Sequence, residues 1–361
     1  MAKSLLFIPD ISGYTKFIQT TEIEHSQHVI SELLEVLVNA NTQDLKLAEI
    51  EGDALFFYKE NEVPSQENLL AQIESMFTAF YSHLKMLKKN RICPCNACAT
   101  APNLQLKIIA HSGELQHIEV QGNRKPFGEQ VIEAHRLLKN SVDSDNYALV
   151  SRKLALDIML SPYYSSKIYR FRQGSDAYDG QEVEYIYSII DPGELKLRSF
   201  VQPKIVSFDT PAELVIEQDF PIAAEELMEN LTNYSLRPYW QKGVDKLEYS
   251  DNEVTRLGTE HTCVINGKHL DFITITKETE PGSLVYGELT HNHPLFDDFY
   301  QFYYFISAAQ NRCQLRVEFY WRSKSIAKKI IGKLMGKKLV RKSSEGAVAS
   351  LLQFIESKTH T

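Results

Sequence analysis

The sequence predicts an α+β protein built as two domains, on three observations. Its 361 residues are about twice the length of an ordinary domain. In the first half, short apolar runs of strand length alternate with amphipathic helical stretches. Past Asp191-Pro192-Gly193 the pattern becomes strand after strand, closed by one last helix. With 43% hydrophobic and 24% charged residues, each half can bury a core of its own.

Ser4 to Ile11 reads as a buried strand ended by Ser12-Gly13. Val29, Ile30, Leu33, Leu34, Leu37 and Val38 then form one helical stripe. Asp44 to Glu51 and Ala54 to Tyr58 are strands around the turn Glu51-Gly52-Asp53. A long helix follows, burying Leu69, Leu70, Ile73, Met76, Phe77, Phe80, Tyr81, Leu84 and Leu87 and stopping at Lys88-Lys89-Asn90. Strands over Leu104 to Ala110 and Leu115 to Gln121, a helix over Glu129 to Asn140 and a strand over Tyr147 to Ser151 come next. Ile168 to Ile190 is a closing hairpin. This mixture points to one sheet with helices packed on it.

The domains divide as residues 1–191, a linker over 192–207, and residues 208–361. In the rear domain Ala212 to Phe220 is a strand and Ala223 to Tyr234 a helix. Asn252 to Trp321 alternates as strands, and Ser344 to Ser357 is a helix with Val348, Leu351, Leu352 and Ile355 on one side. That order describes a curved sheet wrapped around a long helix.

A net charge of −8 argues against nucleic acid as a partner, because phosphate binding is supplied by Lys and Arg. No run of apolar residues is long enough to span a bilayer. Five cysteines in a chain of this length are not a disulfide scaffold, and with no signal peptide at the start the expected location is cytoplasmic.

The chemistry-bearing pair in the front domain is Asp10, at the end of the first strand, and Asp53, in the hairpin turn. Each alone is ordinary, since Asp is favoured at helix caps and turns. Brought to one sheet edge, they repel, so each favours protonation or a cation between them, and such oxygen-rich sites suit Mg or Mn with phosphate ligands. The run Ser12-Gly13-Tyr14-Thr15 turns into a helix whose free N–H groups can cradle phosphate.

Phe7-Ile8-Pro9-Asp10-Ile11-Ser12-Gly13-Tyr14-Thr15 resembles the opening motif of the class III adenylate and guanylate cyclases. Glu49-Ile50-Glu51-Gly52-Asp53-Ala54 resembles their second metal motif, and His111-Ser112-Gly113-Glu114 their central strand turn. The run from Gly128 to Leu137 resembles their transition-state helix. The resemblance implies a ferredoxin-like cyclase homology domain that works as a homodimer with shared active sites. It implies two metal ions on Asp10 and Asp53, helped by the Ile11 carbonyl, with the triphosphate on amides from Ser12 to Thr15. It places Arg136, from the partner chain, as the catalytic group on the α-phosphate, and Glu49 and Lys125 at the purine-selecting positions. Ile132 stands where the family has an Asn donor, and losing one such donor typically costs about 10²–10³ in rate. The expectation is therefore a cyclase-like signalling protein that binds nucleotide and metal with weak or no cyclisation. An active adenylate or guanylate cyclase and a purely ligand-binding protein are the alternatives.

Cys93, Cys95 and Cys98 fall within six residues, a spacing that suits Zn or a redox pair, with His83, His117 or a second subunit's thiol as a fourth ligand. Cys263 and Cys313 read as buried small hydrophobes. His291-Asn292-His293 with Asp297 and Asp298 reads as a polar strand end. From about Phe208 the layout resembles the START-like (SRPBCC, polyketide-cyclase-like) superfamily. This implies a helix-grip fold with an apolar cavity for a hydrophobic small molecule, lined by residues such as Trp240, Phe272 and Tyr304. The pairing of the two domains resembles a family of unknown function, in which ligand in the rear domain would alter the front dimer. Arg322 to Lys342 carries nine basic residues and no acidic one, with Ile326, Ile330, Ile331, Leu334 and Met335 along it. It suits weak contact with an anionic membrane surface, docking to the acidic remainder of the chain, or a solvated helical face.

Overall fold

A computed structural model describes residues 2–200, 205–250, 254–265, 267–278, 283–291, 293–309 and 311–359. Asn252, Asn292 and the side chains of Ile331 and Leu334 lie outside the described residues. The chain forms two compact units: Met1–Met86 with Thr100–Ser199, and Leu87–Ala99 with Phe200–Thr361. The division thus falls after Ser199, not at 191, and the cysteine-bearing stretch groups with the second unit.

The first unit runs β1 (Ser4–Ser12), α1 (Tyr14–Thr20), α2 (Ile23–Asn39), β2 (Lys46–Glu51), β3 (Ala54–Lys59) and α3 (Gln66–Asn90, whose last turn enters the second unit). After α4 (Asn96–Thr100), which groups with the second unit up to Ala99, come β4 (Gln105–Gly113), β5 (Gln116–Val120), β6 (Asn123–Phe127), α5 (Glu129–Arg136), β7 (Tyr147–Ser151), α6 (Arg152–Asp157), β8 (Arg172–Tyr178) and β9 (Gln181–Ile189). Seven strands form one sheet in the order β2-β3-β1-β4-β7-β9-β8, and β5 and β6 form a separate hairpin. β1 lies antiparallel between β3 and β4, while β4 and β7 run parallel. Leu6, Ile8, Phe56 and Ile109 pack with Ala134 of α5 and with Leu137, which follows it. Their neighbours Leu5, Phe7 and Phe57 are equally buried, so both faces of the central strands are covered, as the near-continuous apolar run of β1 demands. β6 and α6 escape sequence reading, because polar Asn123-Arg124-Lys125 and six-residue α6 carry no usable periodicity.

The second unit holds β10 (Ile205–Val206), β11 (Leu214–Phe220), α7 (Ala224–Thr232), α8 (Arg237–Trp240), β12 (Lys246–Glu248), β13 (Glu260–Ile265), β14 (Lys268–Lys277), β15 (Leu284–Thr290), β16 (Asp298–Ala309) and β17 (Arg312–Arg322). It closes with α9 (Ile326–Ile331), a π-helical turn (Gly332–Gly336) and α10 (Lys337–Thr359). The sheet order is β11-β17-β16-β15-β14-β13-β12, with β10 joining β14 in parallel. On one face Tyr286, Phe299, Phe305 and Phe319 pack with α7, Trp240 and the Val348, Leu351, Ile355 stripe of α10. The other face, Ile275, Tyr300, Phe302 and Tyr320, is covered by Val206, Phe208 and Ala212. The supposed linker is therefore partly core: its Val206 packs on this face beside Phe208, which stacks on Tyr320 with ring centroids 3.9 Å apart. Among the described residues no helix is long and apolar enough to cross a membrane.

Candidate functional site

The β1–β3 pairing sets Asp10 opposite Ala54, and the Ile11 amide donates to the Asp53 carbonyl at 3.0 Å. Asp10 and Asp53 therefore share one sheet edge, as the sequence predicts. Burial lifts the Asp10 carboxyl to about 6, and the negative charges of Asp53 and Glu51 add to the rise. Burial also raises Asp53. Sequence reasoning misses the third member. β4 places Lys107 directly opposite Asp10, and its Nζ lies 3.5 Å from Asp10 Oδ1. The counter-charge is already covalently present.

Next to this edge, Gly13 caps α1 with φ +89°, a left-handed conformation that favours glycine, and contributes no side-chain cap. Ser12 Oγ is buried and has no hydrogen-bond partner among the described residues. Tyr14 and Thr15 open α1. Glu49 of β2 and Lys125 of β6 come together as an ion pair of 2.9 Å, each side chain about half exposed. Each thus already satisfies the other.

Arg136, at the end of α5, is ion-paired with Asp179 of the β8–β9 turn. Ile132, one turn earlier, is 54% exposed. His135 lies between them: its Nδ1 donates to the Val131 carbonyl at 2.8 Å, and its Nε2 is 3.0 Å from both Glu51 carboxylate oxygens. Glu51 sits two residues before Asp53, so this link ties α5 to the hairpin that carries Asp53. His111 is buried between Ser151 Oγ (2.8 Å) and Gln130 Oε1 (3.0 Å), and burial lowers its pKa. It is a packing residue.

The three sulfurs of Cys93, Cys95 and Cys98 lie within 4.8 Å of one another. The Cys95 amide donates to Cys93 Sγ at 3.4 Å and the Cys98 amide to Cys95 Sγ at 3.3 Å. Crowding by the other two thiols, then burial, raises the Cys98 thiol far above its ordinary value. Of the two histidines suggested as fourth ligands, each has one ring nitrogen engaged, and His117 Nε2 is buried without a partner among the described residues. His83 Nε2 meets Glu32 at 2.9 Å, and His117 Nδ1 meets Arg124 at 3.2 Å. Cys263 and Cys313 are buried, as expected.

In the second unit Trp240 joins the core beside α10, and Phe272 stacks on His261 at 5.1 Å. Tyr304 does not belong with them. Strand alternation turns it to the opposite sheet face, where its hydroxyl donates to Glu318 at 3.2 Å. The inner face instead carries a buried polar cluster that composition alone does not reveal. Arg237 pairs with Glu288, Tyr286 donates to the same carboxylate at 2.5 Å, and Gln301 bonds its other oxygen. Arg237 Nη1 donates to His261 Nε2 at 3.2 Å, leaving His261 Nδ1 buried without a partner among the described residues. Burial holds His261 down to about 4. Among the described residues of the 291–298 segment, His291 bonds Asp298, His293 stacks on Phe296 and Phe299, and Asp297 pairs with Lys328.

Residues 30–147 match the model of a family described as protein of unknown function (DUF2652). The chain is 32% identical over 129 residues to the uncharacterized protein Rv2561/Rv2562 of Mycobacterium tuberculosis, a match covering 35% of this chain and 58% of that protein. The chain therefore spans little more than half the length of this curated relative. Similar solved structures include adenylyl and guanylyl cyclase domains. The catalytic core of a rhodopsin-guanylyl cyclase of converted specificity is 14% identical with a TM-score of 0.40, covering 52% of this chain and 96% of that one. The adenylyl cyclase CyaB of P. aeruginosa is 17% identical with a TM-score of 0.38, covering 52% and 94%. A Thalictrum norcoclaurine synthase is 11% identical with a TM-score of 0.33, covering 40% and 94%. At these values chemistry does not carry over from any of them.

Proposed function

We propose that the first unit binds a purine nucleoside triphosphate with a divalent cation at the Asp10–Asp53 edge and cyclises it weakly or not at all. The observation that carries this reading is the pair of half-buried carboxylates on one edge, both raised, beside a helix start that offers amides. Two acids held in that state gain free energy when a cation neutralises them. The donor set fits Mg or Mn, with Asp10, Asp53 and the Ile11 carbonyl as oxygen ligands. Lys107 already supplies one positive charge there, which favours a single ion over two. Such an ion would polarise a phosphate oxygen. The chain's own residues would do the rest: amides from Ser12 to Thr15 hold phosphate, and Lys107 orients Asp10. Exposed Leu47, Ile50, Phe127 and Ile132 are the surface for a second copy, which would bring Arg136 to the phosphate.

Weak turnover follows from three features. Ile132 donates no hydrogen bond, Arg136 is engaged by Asp179, and the Glu49–Lys125 pair must open before either can read a base. The second unit, a START-like helix-grip domain in this reading, binds a hydrophobic small molecule against Trp240 and Phe272. A zinc ion on Cys93, Cys95 and Cys98 relieves the crowding of three thiolates.

The deciding experiment titrates the full chain with fluorescent ATP and GTP analogues, with and without Mn, and assays cyclic product by mass spectrometry. Binding that needs Mn, disappears in Asp53→Asn and yields little cyclic product is expected. Affinity indifferent to Mn and to Asp53 would refute the site. Fast product formation would replace weak turnover with the active-cyclase alternative.

A further inference from the structure

The basic stretch from Arg322 to Lys342 runs from the end of β17 through α9 and the π-helical turn into the start of α10. Four aliphatic side chains on it stand in solvent: Ile326 at 75% exposure, Ile330 at 54%, Met335 at 60% and Leu339 at 54%. They are spaced four, five and four residues apart. In a continuous α-helix the five-residue step would swing Met335 about 140° away from Ile330. Here that step runs into the π-helical turn Gly332–Gly336, whose wider winding turns Met335 back toward the side of Ile330. Packing holds the extra residue in place. A Cβ on Gly332 or Gly336 would come within 2.8 Å of a ring carbon of Phe296, and Phe296 is fully buried.

Beside the row lies a pocket of about 830 Å³, lined by Glu213, Trp321, Arg322, Ser323, Lys328 and Lys337. Arg322 lies over the rings of Phe208 and Tyr300, and Ser323 Oγ has no hydrogen-bond partner among the described residues. Taking nine positive charges out of a net −8 leaves −17 on the rest of the chain, so the positive charge is concentrated here.

We propose that this face is a membrane-surface anchor that seats the second unit on an anionic bilayer. The aliphatic row enters the headgroup–acyl boundary, the flanking lysines meet anionic headgroups, and the pocket receives a lipid phosphate. Charge and shape select this occupant. Two copies joined through the row would bring like charge against like, and nucleic acid, which is held by stacking on aromatics, has no use for exposed aliphatics.

The test is co-sedimentation of the full chain with phosphatidylcholine vesicles, with and without phosphatidylserine, read together with tryptophan emission, since Trp321 walls the pocket. Binding should require phosphatidylserine and weaken with salt. Lys337→Ala and Lys338→Ala should each weaken it about fivefold, and Ile330→Glu with Met335→Glu by at least about tenfold. All four positions are exposed, so folding is untouched; the free variants should keep the wild-type emission spectrum. No binding at low salt would overturn the proposal, as would binding that survives the two glutamates. A dimer dissolved by those same glutamates, with no vesicle binding, would hand the face to a second copy and overturn it too.

Discussion

Asp10 costs the fold stability in order to be useful. Its carboxyl sits near 6 in the folded chain against 3.8 when exposed, so the folded state binds the proton more tightly. Stability from this group is therefore lost as pH rises from 3.8 to about 6, and the full penalty stands at neutral pH. A shift of two units corresponds to about 3 kcal/mol at most. Asp10→Asn should thus resist urea better at pH 7, show no gain below pH 4, and lose Mn-dependent nucleotide binding. A variant destabilised at pH 7 would mean that the Lys107 pairing outweighs the desolvation. This trade of stability for chemistry is common at functional sites. Asp10 and Asp53 were legible as a pair because each ends a recognisable element. Lys107 was not, because nothing local in Gln105–Gly113 tells which of its residues faces Asp10; only the β1–β4 register does.

Among the elements, the loop from Cys93 to Cys98 makes the sharpest claim. Two amides aimed at two sulfurs and three sulfurs in mutual reach are what a metal-bound thiolate loop requires. Purified full-length protein should carry about one zinc per chain by elemental analysis, and Cys95→Ser should lose it. A metal-free wild type whose thiols all titrate rapidly would leave the loop as a redox or inert element. Sequence periodicity located nearly every long element, since α2, α3 and β1 bury continuous stripes. It failed where the pattern depends on a distant partner. Tyr304 sits in a run of aromatics, Phe302 to Phe305, in which every residue is apolar or aromatic. The two faces of β16 are told apart only by what covers them. The π-helical turn is likewise invisible in composition, because its cause, Phe296, lies in another part of the chain.

At the scale of the whole molecule, the two units should part company in acid. In the second unit burial holds His261 and His293 down to about 4, so both bind protons more readily when unfolded. Their contribution to stability is complete above about pH 6.5 and drains away as pH falls toward 4. In the first unit the raised Asp10 and Asp53 pull the other way, against the lowered His111 and His117. Both tryptophans, Trp240 and Trp321, belong to the second unit, so indole fluorescence reports on it alone. Heating at pH 5 should shift the fluorescence transition to lower temperature while far-UV circular dichroism keeps a later step. Coincident transitions at every pH would show one cooperative block.

Dissection of this chain is constrained by the place of Leu87–Ala99. That short excursion leaves the first unit, sends Ile92 into the apolar cluster of the second, and returns at Thr100. A gene truncated at Ser199 would carry a plug without its socket, and its complement would carry the socket empty. A single cut of the chain therefore yields neither unit with all of its residues.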